Sequence, residues 1–76
     1  MARELRPKPD QFRKACELHG IPSDSALARA MDIHRTTVAR VLAGDLVPGG
    51  AFIAGALYAF PALTVDALFD NVPAEQ

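Results

Sequence analysis

The sequence predicts an all-α fold, a compact bundle of four or five short helices in one domain. Three observations lead there. Apolar residues recur at helical spacing in separate stretches, helix-starting and helix-stopping residues bracket those stretches, and no run alternates as a strand or reads as a hairpin. Seventy-six residues allow one small domain without a separate catalytic or ligand-binding domain, and half of them are apolar, enough for a core.

Residues 1–8 hold Arg3, Arg6 and Lys8 around Pro7 and read as a flexible basic arm. A first helix is expected over residues 9–19. Pro9 or Asp10 suits its first turn, Phe12, Ala15, Cys16 and His19 fall on one face, and Gly20 ends it. Ile21-Pro22 leads to Ser23, the expected cap of a second helix, with Asp24 placed to favour its positive end. Leu27, Ala28 and Met31 give this helix an apolar face.

Asp32-Ile33-His34 separates it from a third helix over about 35–43, ended by Gly44. Asp tolerates the left-handed backbone of a sharp helix exit, and Ile33 can point into the angle between the helices. Val38, Val41 and Leu42 form the third helix's apolar seam. Three linking residues favour a steep crossing, the geometry of a helix-turn-helix. The seam leaves Arg35, Thr36, Ala39, Arg40 and Ala43 outward, with Thr37 at the edge. GDLVPGG then forms a loop. A fourth helix is expected over about 50–60, with Phe52, Ile53, Ala56, Leu57 and Phe60 as its stripe and Pro61 as its stop. Thr64 caps a last helix carrying Val65, Leu68 and Phe69, and residues 71–76 read as a loose tail. Ala54, Tyr58, Ala62 and Leu63 are left as a candidate partner surface, open between that role and completing the core.

The run Leu27-Ala28-x-x-x-Asp32-Ile33-His34-x-x-x-Val38-Ala39-x-x-Leu42-x-Gly44 resembles the helix-turn-helix core of the phage repressor and Cro family, the XRE-type regulators. Thr64 to Phe69 resembles the short helix that closes the same domain. The resemblance covers residues 9–70 and implies a lambda-repressor-like fold. Two of the three turn positions depart from the family's usual Gly, apolar, Ser or Thr. The resemblance implies a sequence-specific double-stranded DNA-binding regulator, a small repressor whose helix 34–43 reads the major groove. Arg35, Thr36 and Ala39 would then be base readers, and Arg40 a base or phosphate contact.

Arginine can bond bidentately to guanine O6 and N7, threonine can hydrogen-bond a base or phosphate and meet the thymine methyl with its own, and Ala39 permits close approach. Ser23, Ser25, His34, Thr37 and the arm residues Arg3, Arg6 and Lys8 are the ancillary candidates. Asp24 stands where the family often has a neutral phosphate donor, which shifts that role to Ser23 or Ser25. His34 is open between a weak cap, a phosphate contact and a place at the turn without function.

Net charge is −1, yet residues 1–44 hold all eight bases and five acids, net +3, while residues 45–76 hold four acids and no base, net −4. A chain divided in this way can turn a basic face to DNA. One cysteine excludes an internal disulfide and a multi-cysteine metal site. No signal peptide is visible, and the longest apolar stretch, residues 51–63, is too short for a membrane and contains Pro61. A cytoplasmic protein is expected, without metal, cofactor or small-molecule ligand. No nucleophile–base pair or Gly-rich phosphate loop marks an enzyme. The assembly is open between a homodimer through the apolar C-terminal segment and a monomer supplemented by the basic arm. The alternative is a protein-binding module of antitoxin or anti-repressor type, favoured by Asp24, Asp32 and Asp45.

Overall fold

A computed structural model describes residues 2–74. Met1 of the expected arm and Glu75 and Gln76 of the expected tail lie outside the described residues. The elements in chain order are β1 (Arg3–Pro7), α1 (Pro9–Leu18), α2 (Asp24–Met31), α3 (Arg35–Leu42), α4 (Gly50–Ala59), α5 (Val65–Leu68) and β2 (Phe69–Pro73). The helices stand close to where their spacing and caps put them. The fold class does not. The two chain ends pair as an antiparallel sheet, with Arg3 opposite Pro73 and Pro7 opposite Phe69, so the domain is mixed α/β rather than all-α.

Residues 3–7 of the expected flexible arm are therefore a strand, and its partner takes Phe69 from the end of the expected last helix and residues 71–73 from the expected loose tail. Packing explains the change. Phe69 is buried and Leu5 packs against the core, so both strands lie on the bundle and their backbone groups must find partners. Two further bonds extend the ladder beyond the strands. Lys8 N–H donates to the Leu68 carbonyl at 2.8 Å, and Ala74 N–H to the Ala2 carbonyl at 3.1 Å.

Local chemistry sets the helix ends. The Ser23 hydroxyl accepts from Ala26 N–H at 3.1 Å and the Thr64 hydroxyl from Ala67 N–H at 3.2 Å. Such caps satisfy amides that a helix leaves without a partner. α1, α2 and α3 all leave through a left-handed residue, at Gly20, Asp32 and Gly44. Each exit carries the same pair of reverse bonds. At Asp32 these run from Ile33 N–H to the Ala28 carbonyl at 3.0 Å and from Asp32 N–H to the Arg29 carbonyl at 3.2 Å.

The core takes Phe12 and Ala15 from α1, Leu27, Ala28 and Met31 from α2, and Val38 and Val41 from α3. Phe52 and Ala56 of α4, Phe60 at its end, Leu68 of α5 and Phe69 complete it. All four phenylalanines of the chain meet here, and the Phe12 ring lies 5.9 Å from Phe52, 6.4 Å from Phe60 and 5.6 Å from Phe69. α4 approaches α2 most closely at Gly55. A Cβ built there would overlap the Met31 carbonyl oxygen and lie 3.1 Å from the Met31 Cβ.

Glycine within a helix normally destabilises relative to alanine, by roughly 0.5–1 kcal/mol. Gly55 reverses that sign, because a methyl group must push α4 off α2. Gly55→Ala should lower stability by about 1–3 kcal/mol in urea unfolding. Gly50→Ala, where no atom stands within 4 Å of the added Cβ, should hold or raise stability by about 0.4–1 kcal/mol.

Candidate nucleic-acid interface

α2, the Asp32–His34 turn and α3 form the helix pair in which the candidate residues lie. α3 buries Val38 and Val41, half-buries Leu42 and Thr37, and leaves Arg35, Thr36, Ala39, Arg40 and Ala43 exposed. These are the five residues that the apolar seam predicts to face outward. Neither Arg35 nor Arg40 makes a salt bridge or a side-chain hydrogen bond among the described residues, so both guanidinium groups present their donors to solvent. α3 contains no acid, and no carboxylate in its own turns competes for these cations.

The ancillary candidates divide. His34 occupies the N-cap position of α3, exposed, without a side-chain cap bond. Ser25 is half-buried in the first turn of α2, and Ser23 spends an acceptor on its cap while its own O–H remains a donor. Asp24 is exposed beside them. The arm residues differ most from expectation. Arg3 donates to the Asn71 side chain and carbonyl, both at 3.0 Å. Arg6 is paired with Glu4 and reaches the Gly44 carbonyl at 3.5 Å. Lys8 donates to the Asp66 carbonyl at 2.9 Å and lies 3.7 Å from Asp70.

The sheet thus ties all three bases to partners within the domain, although only Lys8 meets a carboxylate of the acidic C-terminal half. A basic arm free to follow a DNA groove is not what these residues form. Of the cations that sequence reasoning leaves out, Arg29 is the one on these two helices. It is exposed on the last turn of α2 and lines a shallow depression with Ala28, Asp32, Ile33 and His34. Its position opposite the Leu27–Ala28 face is the signal that could have placed it outward.

Of the candidate partner surface, Ala54, Ala62 and Tyr58 are exposed, the last to 75%, while Leu63 is half-buried against the core. Tyr58 and Ala54 border a depression of about 270 Å³ that also takes in Met31, Asp32 and Gly55. A further cavity of about 510 Å³ opens between α1 and the start of α2, lined by Phe12, Arg13, Cys16, Asp24 and Leu27 among others, and takes only Leu42 from α3. Burial, and then the Asp24 carboxylate, push the Cys16 thiol above its ordinary pKa, which disfavours the reactive thiolate. No group of three or more His, Cys, Asp or Glu among the described residues is placed to hold a metal ion. No helix among them is long and apolar enough to cross a membrane.

Comparison with protein-family models, with curated proteins and with solved structures finds no match for this chain. The functional reading therefore rests on the chain's own geometry.

Asp32 is the one described non-glycine residue at positive φ, +59°. A left-handed conformation costs an L-residue roughly 1–2 kcal/mol, less for Asp than for most. Asp32→Gly should hold or raise stability by up to about 1 kcal/mol, and Asp32→Val should lower it by more than that; thermal unfolding of the three proteins checks the order.

Proposed function

We propose that the protein is a sequence-specific double-stranded DNA-binding regulator of the repressor type, reading the major groove with α3. The observation that carries this reading is the exposed strip Arg35, Thr36, Ala39 and Arg40. It is free of acids and carries two arginines without partners among the described residues, on a helix whose other face is locked into the core. An α-helix fits the major groove, and Ala39 leaves room for close approach. Arg29 and His34 line a shallow depression at the turn before this helix, together with Asp32. The protein would act in the cytoplasm, where DNA is available to it, by occupying a promoter and excluding polymerase.

One short helix reads few base pairs, so a full site calls for a second copy and two half-sites about one helical turn apart. The face at Ala54, Tyr58 and Ala62, with Leu63 behind it, is the candidate contact between copies. A second reading, a protein-binding module that keeps the frame without DNA, is favoured by the exposed carboxylates Asp24, Asp32 and Asp45.

Selection from a random duplex library at fixed salt separates the two. The wild type should enrich one motif, palindromic if two copies bind. Arg35→Ala/Arg40→Ala should lose it, each bidentate arginine–guanine contact being worth about 1–3 kcal/mol of discrimination. No enriched motif together with no salt-sensitive binding would favour the protein-binding reading.

A further inference from the structure

The exposed strip of α3 is unusual for what it lacks. Adenine is read most directly by Asn or Gln and cytosine by Asp or Glu, through their amide and carboxylate groups. α3 holds none of these four residue types. Its reading groups are two guanidinium groups, the Thr36 hydroxyl and the methyl groups of Thr36 and Ala39. At about 100° per residue, Ala39 lies about 40° round the helix from Arg35, with Thr36 and Arg40 further round in the same direction. Arg35 and Ala39 are neighbours one turn apart, and so are Thr36 and Arg40. Each arginine is thus stacked one turn, about 5.4 Å, from a methyl-bearing side chain on the same open face.

Such a face can recognise guanine through its O6 and N7. It can also recognise a C5-methyl group, which thymine projects into the major groove. With the guanidinium groups directed to guanine, it has no carboxylate or amide with which to tell the thymine O4 acceptor from the cytosine N4 donor, and the Thr36 hydroxyl can donate to the one or accept from the other. Resting on the DNA-binding reading above, we infer that the site is a guanine beside a base pair carrying a C5-methyl pyrimidine. The methyl group itself is what α3 recognises there. Thymine and 5-methylcytosine supply the same group at the same place. The protein should therefore accept a methylated CpG step where it binds TpG, and should discriminate against the unmethylated step.

The test uses the full chain and the duplex obtained by library selection, with the thymine beside the guanine varied. Four duplexes carry thymine, uracil, cytosine or 5-methylcytosine at that position, and binding is followed by fluorescence anisotropy across a salt series. Loss of the methyl group in the uracil duplex should weaken binding about three- to fivefold, the size expected for one buried methyl group. The 5-methylcytosine duplex should bind more tightly than the cytosine duplex by a similar factor. Thr36→Ser or Ala39→Ser should shrink these ratios toward one in a protein whose circular dichroism is unchanged.

Equal binding of the uracil and thymine duplexes, with Arg35→Ala still abolishing the motif, overturns the methyl inference and leaves the DNA reading standing. Absence of salt-sensitive binding to every duplex overturns both.

Discussion

The structure depends on the packing of Phe12 against the other three phenylalanines. Phe12 stands on α1, Phe52 on α4, Phe60 at the end of α4 and Phe69 at the start of β2. Their rings meet edge-on or tilted, and Phe52 and Phe69 close the group at 6.1 Å. Aromatic pairs of this geometry contribute about 0.5–1.5 kcal/mol each beyond their area. In a chain this short, that one cluster ties the first helix, the fourth helix and the C-terminal strand together. The sheet follows from it, because burying Phe69 lays β2 on the bundle, where β1 can pair with it. The frame of α3 follows too. α4 holds α2 through the close approach at Gly55, and α2 passes through the Asp32 turn to α3.

That chain of support turns an ordinary amphipathic helix into a fixed surface. α3 is short, eight residues, and would not be stable alone. Val38 and Val41 anchor it to the core, and the paired reverse bonds at Asp32 and Gly44 set where it starts and stops. The outward side chains are then held in a constant order along the helix. The sheet makes a second contribution by tying Arg3, Arg6 and Lys8 to partners within the domain. The bases left on open surface include Arg29, Arg35 and Arg40, on α2 and α3, and these give the proposed interface its charge.

Most of the helical frame was legible in the sequence because its signals are local. Ser23 and Thr64 cap helices through bonds three residues away, and Gly20, Asp32 and Gly44 stop them through bonds within six residues. The outward strip of α3 was legible for the same reason, since the seam of Val38, Val41 and Leu42 leaves only one face over. The sheet was not. RELRP and FDNVP lack the alternation of a half-buried strand, both contain proline, and they pair across almost the full length of the chain. What orders them is the burial of Leu5 and Phe69 against residues far away in sequence. Arg29 carries no signal of a role, since an exposed arginine in the last turn of a helix is equally the ordinary complement of the helix dipole.

The central claim is that one face of α3 reads the major groove while β1 stays in the sheet. Dimethyl sulfate interference on the selected duplex tests this directly, because it methylates guanine N7 in the major groove and adenine N3 in the minor groove. The account expects binding to be blocked by N7 methylation at the motif's guanines and to be indifferent to N3 methylation of flanking adenines. Interference confined to adenine N3, with the guanines silent, would contradict it and would mean that another part of the surface meets DNA.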